Sequence, residues 1–222
     1  MEIKEKIDRS KLRKESEKKS IPIIDLLLGK IKDLSQKEKE GHTLLAVCPN
    51  SENVLAAAIH SAKRANAPIM FAVTLNQVDT DGGYTGWTQN DLIRKSKEIS
   101  YNIGFEGPII FALDQGGPWL KDNQAIENWS LDKCISWIKK SFEDAIIAGY
   151  DLIHVDPTVD IFNKHLKIET VVSRTIELIS HVENFRKIKG IGPISYEVGT
   201  EEVHGGLVDI TVFKKFLELL KD

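Results

Sequence analysis

Five short apolar runs, each followed by an amphipathic stretch with helical spacing, constrain the fold of this 222-residue chain more than any other feature. The runs are continuously apolar, which is typical of parallel strands covered on both faces. Right-handed crossovers join such units into a parallel α/β sheet. The predicted strands are residues 43–48, 68–75, 108–113, 152–156 and 193–198, and the predicted helices are 51–66, 88–103, 130–148, 167–188 and 209–221.

The predicted helix starts carry good capping residues, namely Ser51, Thr88 with Asp91 three residues on, Ser130 and Asp209. Upstream of the alternating units, Pro22 opens a further apolar stripe with helical spacing, which predicts a packed helix over 22–36. Residues 2–20 are mostly charged and predict a solvated helix or a frayed arm. We therefore divide the chain into an N-terminal helical extension, 1–41, and a partial barrel domain, 42–222.

Polar, glycine-rich segments follow the C-terminal ends of the predicted strands, in the order PNSEN, NQVDTDGGYTGW, DQGGPW, DPTVD and GTEEVHGG. This distribution is typical of the active face of a (β/α) barrel. A Rossmann-type sheet would show a glycine fingerprint after its first strand, and PNSEN is not one. The sequence therefore predicts an α/β fold of the TIM-barrel type.

The predicted barrel is incomplete, because a complete one has eight units in roughly 250 residues and only five units are found here. Either the chain is the N-terminal part of a longer polypeptide, or it forms an open sheet with an edge that something else must cover.

Composition excludes several classes of partner and compartment. The formal net charge of −3 gives no general attraction to nucleic acid or anionic lipid, so we expect neither a nucleic-acid nor a membrane partner. No apolar run is long enough for a transmembrane helix or a signal peptide, which predicts a cytoplasmic protein. Cys48 and Cys134 both lie in apolar runs and are predicted to be reduced core thiols.

Three polar residues at the predicted strand ends are candidates for chemistry. Asp114 ends the third strand, where a carboxyl group can donate or accept a proton, although a lone Asp is more often a cap or turn residue. His154 and Asp156 alternate along the fourth strand and so point to the same side. A histidine within an apolar strand is nevertheless more often a satisfied core residue than a ligand.

Two further segments could contact a ligand. The loop 76–87 begins with the amides of Asn76 and Gln77 and contains three glycines, which suits close approach to a ligand but also suits an ordinary long turn. The end of the fifth strand carries carboxylates and an imidazole that could bind a divalent metal, although a metal site needs three or four convergent groups. These residues are Glu197, Glu201, Glu202 and His204.

Taken together, these segments resemble the GatZ/KbaZ-type family, the non-catalytic subunit of class II tagatose-1,6-bisphosphate aldolase. Members carry a segment much like NQV-x-x-x-GGYTG after the second strand, which residues 76–86 reproduce. The third strand of the family ends close to Asp-His-x-Gly-Pro, the fourth contains Ile-His-x-Asp, and the fifth reads like Tyr-x-x-Gly-Thr-Glu followed by Gly-Gly. The corresponding segments here are DQGGP at 114–118, IHVD at 153–156, and YEVGTE at 196–201 with GG at 205–206.

The resemblance implies a barrel related to the zinc-dependent class II aldolases. It gives Asp114 a proton-transfer role, Glu201 a place at the metal site, and Asp156 a place among the catalytic residues. Gln115 stands where the family pattern has a zinc-binding histidine, so the cofactor is left open and zinc is expected only if the site is completed elsewhere. The substrate-binding residues implied are Asn76, Gln77, Gly83, Tyr84, Thr85 and His154.

The expected function is therefore that of a component of a class II ketose-bisphosphate aldolase in carbohydrate metabolism, as the non-catalytic stabilising subunit. Its expected partners are a catalytic aldolase subunit or further copies of itself, with a sugar phosphate as ligand. An alternative is a sugar or sugar-acid aldolase or epimerase whose metal site is completed by further C-terminal strands or by another chain. A third is a fragment without activity.

Overall fold

A computed structural model describes residues 11–163, 166–199 and 210–221 of the chain. Within these residues five parallel strands form one sheet in the order β1-β2-β3-β4-β5, which confirms the predicted α/β fold. The strands are β1 (Ala46–Val47), β2 (Ile69–Thr74), β3 (Ile109–Gly116), β4 (Leu152–Val155) and β5 (Ser195–Val198).

Helices precede the sheet and connect its strands, and most begin and end within two residues of the predicted bounds. The helices are α1 (Lys11–Lys19), α2 (Ile23–Glu38), α3 (Glu52–Ala65), α4 (Gln89–Ile103), α5 (Asp122–Ile126), α6 (Leu131–Ala148), α7 (Ile168–Ile188) and α8 (Ile210–Leu219). The caps at Ser51, Thr88 and Ser130 form as predicted, each side chain accepting a backbone N–H of the first turn. Asp209 lies outside the described residues.

The larger hydrophobic core lies between one face of the sheet and the connecting helices. Alternate strand residues such as Phe71, Phe111 and Ile153 point into it, and Phe142 of α6 is fully buried there. The opposite face of the sheet is covered as well, which explains why the strands are apolar along their whole length.

Helix α2 covers the opposite face of the sheet, called here the inner face, near its amino edge. Ile23, Ile24 and Leu27 pack on Ile110, Ala112 and Leu152. Polar contacts fix the N-terminal extension to the same edge: Ser195 Oγ donates to Asp25 Oδ1 over 2.9 Å, and the Arg13 guanidinium pairs with the buried carboxylate of Asp151. Two layers of helix therefore enclose the sheet at its amino edge.

The two outer strands of the described sheet differ from its centre. β1 has two residues and β5 has four, and each pairs with one neighbour only among the described residues. Cys48 follows β1 and is exposed, so the prediction of a core thiol is wrong at this position, because no described strand pairs with the outer side of β1. Cys134 is buried in α6 as predicted. No helix in the described part of the chain is both long and apolar enough to cross a bilayer.

Candidate functional site

A row of polar side chains crosses the carboxyl edge of the inner face. Asp114 pairs with Thr74 across β2 and β3, and His154 pairs with Glu197 across β4 and β5. The alternation of side chains places Asp114 and His154 on the same face as Ala112 and Leu152, one step nearer the carboxyl edge. The row therefore begins where the apolar contacts of α2 end.

Asp114 and His154 are in direct contact. His154 Nδ1 lies 3.0 Å from Asp114 Oδ1, and the backbone N–H of Gln115 donates to the same oxygen over 2.9 Å. A carboxylate can only accept, so this contact needs the proton on Nδ1, and the Asp114 carboxylate orients the imidazole ring. The Gln115 backbone N–H also lies 3.3 Å from Nδ1.

The surroundings of His154 favour its protonated form. Its side chain is 6% exposed, while that of Asp114 is 35% exposed. Burial disfavours the imidazolium, but the hydrogen bond to Asp114 and the charges of Glu197 and Asp156 outweigh burial and raise the pKa of His154 above its ordinary value. Carboxylates on β3, on β5 and beyond β4 therefore all favour the imidazolium, although only that of Asp114 is in contact with it.

An irregularity in β3 shapes this edge. The register between β3 and β4 shifts between Leu113 and Gly116, and Gln115 adopts a φ of 52°. A bulge of this kind re-aims side chains at a strand end. At Gly117 a Cβ atom would lie 1.6 Å from the Asp156 carbonyl oxygen, so only glycine fits.

Asp156 follows β4 and is buried. Its Oδ1 accepts the backbone N–H and the hydroxyl of Thr158, the first over 3.2 Å and the second over 2.5 Å. Its Oδ2 has no hydrogen-bond partner within the described chain.

The predicted ligand loop after β2 is held by its own polar groups. Asn76 Nδ2 donates to the Leu120 carbonyl over 3.1 Å and to Asp122 Oδ1 over 3.0 Å, and Gln77 Oε1 accepts the Thr74 N–H over 3.0 Å. The Thr85 hydroxyl donates to the Gln77 carbonyl over 2.7 Å.

The tip of the same loop is more open. Gly83 has a φ of 52°, and a Cβ there would lie 2.4 Å from the Gln77 carbonyl oxygen. The neighbouring Tyr84 side chain is 65% exposed. The loop therefore places one free aromatic side chain at the carboxyl edge, while three of its polar side chains fix its shape.

A buried ion pair that the sequence did not reveal ties this loop to the next one. Lys121 Nζ donates to Asp79 Oδ2 over 2.8 Å, to Asp81 Oδ1 over 2.9 Å and to the Leu75 carbonyl over 2.9 Å. Asp79 is fully buried, and it also accepts hydrogen bonds from Gln89, Trp137 and Ser141.

Partial burial works against the charge of Asp81, but the hydrogen bonds from Lys121 and the Gly83 backbone N–H, together with the charge of Lys121, outweigh burial and lower the pKa of Asp81. A lysine after the short run DQGGPWL carries no spacing signal, so only the folded loops reveal its partners.

The described residues do not fit a zinc ion. No three His, Cys, Asp or Glu side chains within them converge closely enough to hold a metal. His154 uses Nδ1 for Asp114, and position 115 offers a neutral amide. Glu201, Glu202 and His204 lie outside the described residues, as does the rest of the segment 200–209.

The parallel order of the strands and the polar row at their carboxyl edge define the class of this protein as a TIM-barrel-type α/β protein. One solved structure, described as a probable tagatose 6 phosphate kinase from Sinorhizobium meliloti 1021, shares the fold with a TM-score of 0.65 and 23% identity, over 81% of this chain and 44% of that chain.

The chain belongs to the GatZ/KbaZ-like family of D-tagatose-1,6-bisphosphate aldolase subunits, whose sequence pattern matches residues 31–211. Curated relatives include the D-tagatose-1,6-bisphosphate aldolase subunit GatZ of Escherichia coli strain K12 and that of strain O139:H28. Each is 28% identical over 184 residues, which cover 79% of this chain and 42% of the relative. The chain thus spans less than half the length of these relatives. The predicted family is confirmed.

Proposed function

We propose that this chain is a component of a class II ketose-bisphosphate aldolase of the tagatose-1,6-bisphosphate type, in which it stabilises a catalytic partner subunit in the cytoplasm. The observation that carries the proposal is the combination of a polar row at the carboxyl edge with Gln115 at the position of the expected ligand histidine. The row suits contact with a sugar phosphate, whereas an amide is a poor zinc ligand beside imidazole.

Within this proposal, Asp114, His154 and Asp156 are the polar residues nearest the reacting centre, and the family resemblance adds Glu201 to them. The loop residues Asn76, Gln77, Gly83 and Thr85 shape the wall, and Tyr84 contacts the ligand. The three internally bonded side chains of the loop support a rigid wall.

The test measures aldol cleavage and its lifetime on heating. The purified chain, the catalytic class II aldolase subunit of the same organism, and their mixture are assayed with tagatose-1,6-bisphosphate. We expect no chelator-sensitive cleavage by the chain alone, and a longer half-life of activity in the mixture than in the catalytic subunit alone. Robust chelator-sensitive cleavage by the chain alone, or an unchanged half-life in the mixture, would contradict the proposal.

A second candidate function is an aldolase or epimerase completed by further strands or another chain. The Asp114–His154 contact favours it, because a purely stabilising subunit has no need of an oriented imidazole on the inner face. Cleavage or epimerisation that appears only in a complex and is lost in His154→Gln would support this function.

A further inference from the structure

We infer that the loops after β3 and β4 meet around internal water molecules, which bind the side chains of Gln124, Asp156 and Arg174. The place where they meet, called here the loop junction, consists of residues 116–129 and 156–163 together with the Arg174 side chain of α7. The inference goes beyond the stabilising role and does not rest on it, because this hydration concerns the chain alone, with or without a partner subunit.

Close contacts join the two loops. At Gly117 a Cβ atom would lie 1.6 Å from the Asp156 carbonyl oxygen, so the two backbones touch there. Two residues further on, the Trp119 indole is edge-on to the Phe162 ring, with centroids 5.8 Å apart. The centroid of the same indole is 5.8 Å from Cζ of Arg174. The Arg174 side chain is therefore part of the contact between the loops.

Buried side chains at the loop junction have unused hydrogen-bonding capacity. Gln124, Asp156 and Arg174 are 0%, 1% and 8% exposed. Within the described chain, buried side-chain atoms without a hydrogen-bond partner are concentrated here: Asn123 Oδ1, Gln124 Nε2, Asp156 Oδ2 and Arg174 Nη1. Buried polar atoms in folded proteins almost always bind protein or ordered water. These atoms therefore indicate a bound molecule at the loop junction.

The other polar atoms of these side chains are already in use. Gln124 Oε1 accepts the Trp119 backbone N–H over 2.9 Å, which fixes the orientation of the amide. Arg174 Nη2 donates to Asp160 Oδ2 over 2.7 Å, and Asp160 Oδ1 accepts two backbone N–H groups of its own loop. Asp156 Oδ1 is likewise taken by its own loop. Rotating any of these groups would break one hydrogen bond to make another, so the partner must come from outside the chain.

The mixture of donors and acceptors decides the kind of molecule. Gln124 Nε2 and Arg174 Nη1 can only donate, whereas Asn123 Oδ1 and Asp156 Oδ2 accept. An anion would serve only the donors, and the charge of Arg174 is already compensated by Asp160. A metal cation would serve only the acceptors. Water donates and accepts, and it is small enough for positions that are almost completely buried.

The first experiment measures magnetisation transfer from water to side-chain amides of the ¹⁵N-labelled chain, assigned by through-bond correlations without any variant. We expect rotating-frame Overhauser cross-peaks between water and the Gln124 amide protons. Gln89 is the matched control, because it is 2% exposed and its Nε2 donates to Asp79 Oδ1 over 3.3 Å. Its amide should show no such cross-peak. No cross-peak at Gln124, or an equal one at Gln89, would overturn the inference.

The second experiment is a crystal structure of the full chain, grown and cooled without polyols, at a resolution that shows ordered water. We expect a water oxygen about 2.7–3.2 Å from Asp156 Oδ2 and another at that distance from Arg174 Nη1. A protein atom or a larger molecule bound there, or no density beside either atom, would contradict the inference.

Arg174→Lys tests the assignment to Nη1, because lysine keeps a cation opposite Asp160 and removes that nitrogen. The water beside Nη1 should be absent from the crystal structure of this variant, while the Gln124 cross-peaks with water should remain. A water still bound at the same place would contradict the assignment. Should the variant fail to fold, the structure of the unsubstituted chain decides, since it shows directly whether Nη1 binds water.

Discussion

Gly117, just after β3, packs so closely against the backbone of the loop after β4 that no side chain fits between them. Gly117→Ala would place Cβ 1.6 Å from the Asp156 carbonyl oxygen, so one of the two backbone segments must move. We expect the free energy of unfolding to fall by about 3 kcal/mol or more, as for severe overpacking. Urea unfolding followed by circular dichroism measures this loss.

Gly29 provides the matched control, because it lies inside α2 and a Cβ there meets no atom within 4 Å. Gly29→Ala should stabilise the chain by roughly 0.5–1 kcal/mol, since alanine is the better helix former. Equal effects at the two glycines would show that the contact with Asp156 is not formed.

The Lys121–Asp79 pair should be important for the stability of the carboxyl edge. Lys121→Met leaves the fully buried Asp79 carboxylate without its cation, so we expect a loss of about 3–5 kcal/mol, as is typical when one partner of a buried pair is removed. Lys140→Met is the control, because that lysine is exposed and pairs with Asp144 on the surface of α6. Its unfolding midpoint should barely change, and a loss equal to that of Lys121→Met would contradict the prediction.

At the level of elements, the capping box of α4 predicts a pH-dependent contribution to stability. The Thr88 hydroxyl and backbone N–H both donate to Asp91, which lowers the pKa of that carboxyl group. The stabilisation is therefore complete above the unfolded pKa of aspartate and is lost as the pH falls through the lowered, folded pKa. Asp91→Ala should cost about 1 kcal/mol at neutral pH and progressively less in acid.

The cap of α6 is a non-titrating control for that experiment. Ser130 accepts the Lys133 N–H with a hydroxyl group, so Ser130→Ala should cost about 1 kcal/mol with no such decline in acid. Urea unfolding between neutral and acidic pH compares the two variants. A cost of Asp91→Ala that stays constant with pH would mean that its charge does not contribute to the cap.

Elements with strong local signals could be predicted from the sequence, and those that depend on tertiary contacts could not. The strands around Phe71, Phe111 and Ile153 are continuous apolar runs, so their existence and parallel order follow from pattern alone. β1 is shorter than predicted because its edge position leaves little to pair with. The short α5 has five residues and no apolar periodicity to reveal it.

The site shows the same division. The sequence indicates Asp114 and His154 from their places at strand ends, but no residue pattern indicates their contact or the bulge in β3 beside it. The polar groups of Asn76 and Gln77 were visible in the sequence, whereas their partners lie on a different loop and at the end of β2. Spacing identifies the residues that reach the edge, and packing decides what they bind.

For the whole molecule, the two outer strands of the described sheet indicate that the chain associates with itself or with a partner. Helix α2 buries the amino half of the inner face, while β1 and β5 each present an unpaired side within the described chain. Unpaired strand edges recruit further strands or another chain. The exposed Leu45 beside β1 adds apolar surface to that edge. We therefore expect these edges to be covered in the functional assembly.

Sedimentation velocity of the purified 222-residue chain, alone and mixed with the catalytic class II aldolase subunit, tests this expectation most directly. We expect concentration-dependent self-association of the chain alone and a faster-sedimenting complex in the mixture. A monomer at all concentrations that unfolds cooperatively and forms no complex with the catalytic subunit would show that the chain is self-sufficient, and would contradict the proposed role in an aldolase assembly.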